Sequence, residues 1–282
     1  MTPLVTVIIL TWNRRELLAE SLESALSQTV HDFEVLVIDD GSEDGTADFM
    51  RARNHPAVRY FRFPHSGRVS RLRNFGIESA RGEHIAFLDS DDLWTPRTLD
   101  SLLNGLHAHP NAGFAYCGFR TFDEAGNSKI HVYRSGAGPE RSVQNIFAGM
   151  LAGEMGPYPS ALLIRKNVVD KIGALDEDLV LGEYEFICRL AYEFPAVIVH
   201  EPLVRIRKHS GNCSWRLQAE ELREAIIAVE KSYRARKIPL GVFQDRIVTY
   251  RAELARVFLN AGDAVEAGEQ LRGCLSALGQ PA

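Results

Sequence analysis

Ile85-Ala-Phe-Leu-Asp-Ser-Asp-Asp-Leu-Trp94 runs apolar for four residues and then sets Asp89, Asp91 and Asp92 almost side by side. A short apolar run without alternation is the pattern of a strand covered on both faces. The three acids then fall at its carboxyl end, where open α/β sheets bind ligands. Crowded carboxylates repel one another unless a cation sits among them. Hard oxygen donors of this kind suit Mg²⁺ or Mn²⁺, with phosphate oxygens completing the shell. Taken alone, the run also reads as a solvated acidic turn that caps the helix after Pro96, since Asp is common in both settings. The preceding residues decide between the two.

Those residues repeat one grammar. Val5-Thr-Val-Ile-Ile-Leu10 is an apolar strand, and Leu18, Leu22, Ala25 and Leu26 follow at the i, i+4, i+7, i+8 spacing of an amphipathic helix. A second strand, Phe33 to Ile38, ends in Asp39-Asp40-Gly41-Ser42, which turns the chain toward another helix. Val58 to Phe61 is a shorter strand, Ser70 to Ala80 a helix, and Ile85 to Leu88 the strand already quoted. Strands alternating with helices predict an α/β fold with a mostly parallel, doubly wound sheet. The segments after Leu10, Ile38 and Leu88 must then emerge at one edge, so Thr11-Trp12-Asn13, Asp39-Asp40 and Asp89 to Asp92 converge. That set suits a nucleotide: a ring to stack on the base, acids for base N–H and ribose hydroxyls, and a cation for the diphosphate.

With these residues in place the chain resembles the family 2 glycosyltransferases of the GT-A fold, inverting enzymes that use nucleotide-activated sugars. The resemblance rests on Val5-Thr-Val-Ile-Ile-Leu-Thr-Trp-Asn13, Ser27-Gln-Thr29, Phe33-Glu-Val-Leu-Val-Ile-Asp-Asp-Gly-Ser42 and Asp44-Gly-Thr46. It continues through Arg73-Asn74-x-Gly76, Ala80-x-Gly82 and Phe87-Leu-Asp-Ser-Asp-Asp92 and extends to about Ser214. It implies a uridine diphosphate sugar as donor. Leu10 and Thr11 would meet the base through their backbone, Trp12 would stack on or flank it, and Asp40 would accept from the uracil N3–H. Asp89 would face the ribose and base side, and Asp91 would hold the Mn²⁺ or Mg²⁺ that bridges the two phosphates. Arg68 stands where some relatives place a basic residue against the nucleotide; Arg71 and Arg73 compete with it, Arg73 also as a brace between carboxylates.

The second half should supply the acceptor site and the base. Phe114 to Gly118 and Thr121 to Phe122 read as strands around the Asp123-Glu-Ala-Gly-Asn127 turn, and Ser160 to Ile164 as another. Ile172-Gly-Ala-Leu-Asp-Glu-Asp178 resembles the family's approach to its catalytic helix. Relatives follow it with a Glu-Asp pair, where this chain has Gly182-Glu183. The resemblance therefore implies Glu183 as general base, one methylene longer than usual and without its acidic neighbour; as a bare pattern, Glu183 is also a helix N-terminal acid favoured by the macrodipole. Lys208-His-Ser-Gly-Asn-Cys-Ser214 resembles a basic loop near the donor, with His209 able to join the metal or the diphosphate. The acceptor surface is expected from Gly136 to Pro159 and the C-terminal helices.

The chain has 282 residues, 45% hydrophobic, enough to bury a sizeable core. Its net charge of −5 argues against nucleic acid as main partner. Cys117, Cys188, Cys213 and Cys274 have neither metal-ligand nor disulfide-framework spacing, which favours a reducing cytosol. No segment approaches the ~18–20 continuous apolar residues of a membrane span, and Met1-Thr-Pro3 lacks the charged start of a signal peptide. The expected organisation is a catalytic domain at 1–214, with a nucleotide-binding half at 1–92 and an acceptor half at 93–214, then a helical extension at 215–282. In that extension Leu217 to Arg236, Val242 to Asn260 and Ala264 to Leu278 read as helices. Leu222, Ile226, Val229 and Tyr233 mark one apolar face and Leu271, Cys274, Leu275 and Leu278 another. The extension could pack on the catalytic domain or on a second copy. Arg234, Arg236 and Lys237 could touch an anionic membrane, although a solvated helix end is the better reading of the pattern; the expected enzyme is cytoplasmic, at most peripheral at the inner face of the membrane, with a saccharide or lipid-linked acceptor. Two other classes stay open: a nucleotide-sugar-binding protein without turnover, and a haloacid-dehalogenase-type phosphotransferase. The latter would have its D-x-D strand first and Thr or Val in place of Leu93.

Overall fold

Val5, Val7, Ile8 and Ile9 have no exposed surface. They belong to β1 (Val5–Thr11), the centre of the parallel half of the sheet, and the apolar run lacks alternation because both its faces are covered. The computed structural model describes residues 2–132, 141–153, 158–209 and 217–279. From β1 the chain passes through α1 (Arg15–Leu26), β2 (Phe33–Asp39), α2 (Thr46–Arg53), β3 (Val58–Arg62), α3 (Val69–Ser79) and β4 (His84–Phe87). Strand β1 pairs in parallel with β2, Thr11 opposite Asp39, and with β4, Ile8 opposite Phe87. That register carries three chain exits to a single sheet edge. Helix α3 lies so close to the strands that a Cβ on Gly76 would stand 2.8 Å from Ile8 Cγ2 and 2.9 Å from Ile38 Cδ1, a separation only glycine avoids.

Beyond β4 the sheet is mixed. The remaining elements are β5 (Leu93–Trp94), α4 (Thr98–Ala108), β6 (Phe114–Asp123), β7 (Ser128–His131), β8 (Arg141–Gln144), α5 (Phe147–Leu151), β9 (Leu162–Arg165), α6 (Lys166–Ile172), α7 (Glu183–Glu193) and β10 (Ala196–Lys208). The order across the sheet is β3-β2-β1-β4-β9-β6-β10-β5, with β7 beside β6 and β8 beside β10. Strand β9 runs antiparallel to both β4 and β6, whereas β10 is parallel to β6. Parallel pairing is thus confined to β3-β2-β1-β4 and β6-β10. The two strands read at Phe114 to Gly118 and Thr121 to Phe122 are one, β6, continuous through Phe119 and Arg120. Pro202 sits where β10 slips register against β6, as expected of a residue with no ladder donor.

The C-terminal region is helical, with α8 (Gln218–Arg234), α9 (Leu240–Asn260) and α10 (Ala264–Ala277). Ile226 and Val229 of α8 are buried, and Leu222 and Tyr233 pack beside them, matching the apolar period. Helix α10 departs from its pattern. Cys274 is buried, but Leu271, Leu275 and Leu278 are about half exposed, because α10 packs chiefly on α9 and one neighbour covers only a narrow stripe. Cys117, Cys188 and Cys274 are free and buried; Cys213 lies outside the described residues.

Candidate active site

A cleft of about 890 Å³ opens at the edge where β1, β2 and β4 end, closed on its far side by the start of α7 and by α8. Leu10, Thr11, Trp12, Asp40, Asp89, Asp91, Glu183 and His209 all line it. Arg68 is not among the lining residues. Its guanidinium donates to the Glu177 carbonyl instead, because α3 starts against the segment that leads into α7. Much of the expected acceptor segment, at 136–140 and 154–157, lies outside the described residues, as does the loop at 210–216.

At one end of the cleft Trp12 stacks on His65, ring centroids 4.2 Å apart and nearly coplanar at 10°, so one indole face is already covered. Asp40 is buried and accepts from the Ser66 amide at 2.9 Å, the Ser66 hydroxyl at 3.0 Å and the Gly67 amide at 2.8 Å. It anchors the loop carrying His65 while one edge still faces the cleft. Its neighbour Asp39 points the other way, accepting from Ser42 N at 2.8 Å and from the Tyr60 hydroxyl. Asn13 also lines the cleft; its backbone amide donates to the Ser42 hydroxyl at 2.9 Å and its side-chain oxygen accepts from the Glu43 amide at 2.7 Å.

The acid cluster divides by environment. Asp92 is buried, accepting from the Ser160 hydroxyl at 2.7 Å and the Arg207 amide at 3.1 Å. Burial, together with the charges of Asp89 and Asp91, holds its carboxyl well above the usual range. Asp92 therefore serves the fold. Asp91 accepts from Arg14 at 2.8 Å, and His209 Nε2 stands 3.1 Å from the same oxygen. Ser160 also accepts from the Asp89 amide, tying β9's approach to the D-x-D turn. Arg14 and Ser160 were missed in the sequence. Arg14 directly follows Asn13 and could have been marked, whereas Ser160 carries no local signal.

The donor set fits a divalent cation. Among the described residues no three His, Cys, Asp or Glu side chains converge as a closed metal cage. Asp91 and His209 give two adjacent donors in an open cleft, as expected of a cation that takes its other ligands from phosphate and water.

Glu183 opens α7 and faces the acid cluster across Arg73. The Arg73 guanidinium is 3% exposed; its Nε donates to Glu183 Oε1 at 2.7 Å and its Nη2 to Asp89 Oδ1 at 3.0 Å, while its plane lies over the Phe87 ring. It braces the two carboxylates, as one sequence reading held. Burial raises the Glu183 pKa, and the Asp89 charge adds to this while Arg73 opposes it. A second acid in the first turn of α7, Glu185, is buried and held by Arg189 at 2.9 and 3.0 Å, and it does not line the cleft. Helix α8 contributes Leu217's neighbour Glu221 to the cleft wall; partial burial and the Glu183 charge push its carboxyl up to about 7, although enough of it meets solvent that little stability rides on this.

The family profile described as glycosyl transferase family 2 matches residues 6–173. A protein of Rickettsia felis described as an uncharacterized glycosyltransferase is 28% identical over 218 residues, covering 76% of this chain and 36% of its own length. A Rickettsia typhi protein of the same description is 28% identical over 212 residues, 74% of this chain and 65% of its own. The chain thus spans between about a third and two thirds of these relatives. Among solved structures, Staphylococcus aureus TarS has a TM-score of 0.67 at 17% identity, covering 90% of this chain and 43% of that one. A mannosyltransferase, PcManGT from Pyrobaculum calidifontis, in complex with GDP-Man and Mn²⁺, has a TM-score of 0.63 at 20% identity, covering 99% of this chain and 75% of that one. At such identities these likenesses establish the fold, a mixed α/β architecture of GT-A type.

Proposed function

The chain belongs to glycosyl transferase family 2, and on that premise we propose that it moves a sugar from a uridine diphosphate sugar onto an acceptor hydroxyl with inversion. One observation carries this reading: Asp91 with His209, Asp89, and Glu183 line a single cleft although they come from distant parts of the chain. The donor's diphosphate would lie by Asp91 and His209, which would hold Mn²⁺ or Mg²⁺; when bound, that cation offsets the charge of the leaving diphosphate. Trp12 and Asp40 orient the base. Glu183 takes the proton of the acceptor hydroxyl, whose oxygen attacks the anomeric carbon on the face opposite the diphosphate, so one bond forms as the other breaks. The elevated proton affinity of Glu183 suits that task.

The donor class draws support from a solved neighbour, the 1–349 form of TarS in complex with UDP-GlcNAc, and the cation from the mannosyltransferase complex with Mn²⁺. We place the acceptor among saccharides or lipid-linked saccharides and the enzyme in the cytoplasm at the inner face of a membrane. Among the described residues no helix is long and apolar enough to cross one. The exposed Leu271, Leu275 and Leu278 support assembly with a second copy through the C-terminal helices. The division at residues 214 and 215 is part of the same proposal.

Gly182, standing where the family resemblance implies an acid, favours one rival, a nucleotide-sugar binder without turnover. Both readings are tested by release of UDP from UDP-glucose, UDP-galactose and UDP-N-acetylglucosamine with Mn²⁺, Mg²⁺ or chelator. Release that needs metal supports the transferase; metal-dependent UDP binding with no release from any donor supports the silent binder; release unaffected by chelator contradicts the metal site.

A further inference from the structure

Glu224 is the most deeply buried acid on the C-terminal helices, 1% exposed in the middle of α8. A carboxylate loses far more solvation than a neutral side chain when buried, so its partners define its role. Its partners lie outside its own helix, in the backbone at Val180, Leu181 and Gly182. Oε1 accepts from the Leu181 amide and Oε2 from the Gly182 amide, each at 2.8 Å. These amides lead directly into α7, whose first residue is Glu183. Gly182 adopts φ 70° there, a left-handed turn, and a Cβ on it would meet the Asp176 carbonyl and the Ser70 side chain at 3.3 Å. Glycine makes the turn possible, and the acid that its own side chain lacks arrives from α8.

The geometry points to Glu224 as a positioning residue for Glu183, so that the C-terminal region completes the catalytic wall. This rests on the reading of Glu183 as base. The bidentate carboxylate fixes the two peptide planes that set where α7 begins, and its negative charge lies at the helix N-terminus, where the dipole favours it. Arg73 holds Glu183 from the α3 side, and Glu224 holds its backbone from the α8 side. Lys231, two turns further along the same face of α8, reaches Asp176 and approaches Glu185 at 3.7 Å, clamping the same segment a second time. The groups facing Glu183 are therefore Arg73 from α3, Asp89 from the β4 exit and Glu221 and Glu224 from α8.

The test is a double-mutant cycle on the full chain, Glu224→Gln and Glu183→Gln singly and together. It is read by amide hydrogen exchange at Leu181 and Gly182, by Mn²⁺-UDP affinity, and by UDP release from the best of the three donors above. Glu224→Gln should speed exchange at both amides, leave UDP affinity within about twofold, and slow release about tenfold in the parent but not in the Glu183→Gln background. Unchanged exchange overturns the bonds. Unchanged release with faster exchange overturns the positioning role, and an equal loss in both backgrounds marks a merely structural lesion, which overturns it too. Should Glu183→Gln alone keep the parent rate, the base reading fails; that outcome is visible without Glu224. If Glu224→Gln does not fold, Glu224→Asp, which keeps the charge and withdraws it by one methylene, takes its place with the same criteria.

Discussion

The two walls of the cleft are assembled by different means. The proposed donor wall is set by backbone: Thr11, Asp40 and Asp89 sit side by side because β1, β2 and β4 pair in parallel and stop together. The proposed catalytic wall is set by side chains that tie distant segments. Ser70 donates to the Leu179 carbonyl at 2.6 Å, Asn74 exchanges bonds with both the amide and the carbonyl of Leu175, and Arg73 and Glu224 hold the start of α7 from opposite sides. The first wall should tolerate change at single residues better than the second. Register is shared by many hydrogen bonds, whereas each tie to α7 is a charge-assisted or buried bond with no substitute.

The largest expected effect is on Glu183. Glu183→Gln keeps the shape and removes the proton acceptor, so the transfer rate should drop by about 10²–10⁴-fold with donor affinity near that of the parent. Steady-state UDP release and UDP titration separate the two. The raised proton affinity gives a pH sign. As the proposed base Glu183 would act ionised, so the parent's rate should decline as pH falls through a midpoint above the usual glutamate range, and Glu183→Gln should lose that acid limb. A midpoint at or below the ordinary value would mean that Arg73 outweighs burial.

Next comes the brace. Arg73→Met leaves Asp89 and Glu183 facing each other without a cation, and breaking such a pair should cost up to about 3 kcal/mol, the low end because both carboxylates keep some solvent. Urea unfolding measures it. A loss as small as that of a surface pair would show that the catalytic wall is held elsewhere. A smaller effect is expected on the donor wall: Trp12→Ala should weaken UDP about tenfold, in line with about 1–3 kcal/mol for a base on an aromatic ring. Unchanged affinity would return Trp12 to the role of partner for His65 alone.

How far the molecule was legible follows the same division. Helices α1, α3, α8, α9 and α10 and strands β1 to β4 match the sequence periods within about two residues, since each is specified by its own run of apolar residues. The D-x-D turn was legible for the same reason, being a local change from apolar to acidic. Arg68 does not line the cleft because its guanidinium turns to the Glu177 carbonyl, far along the chain, and Ser160 and Glu224 were invisible because their partners are long-range backbone amides and a buried acid. The antiparallel run of β9 between β4 and β6 also escaped, since an apolar strand does not encode its direction. The apolar period of α10 predicted burial that a single neighbouring helix does not provide.

Asp91 is the residue through which a cation would join the donor's diphosphate to the protein. Calorimetric titration of UDP into the parent and into Asp91→Asn, each with Mn²⁺ and with chelator, isolates that claim from catalysis and from the acceptor. Mn²⁺ should tighten UDP binding to the parent by at least about tenfold, or ~1.4 kcal/mol, and the gain should largely vanish in Asp91→Asn, because a neutral amide is a poorer ligand for a hard cation. Equal UDP affinity with Mn²⁺ and with chelator in the parent, or a full Mn²⁺ gain retained by Asp91→Asn, would contradict it.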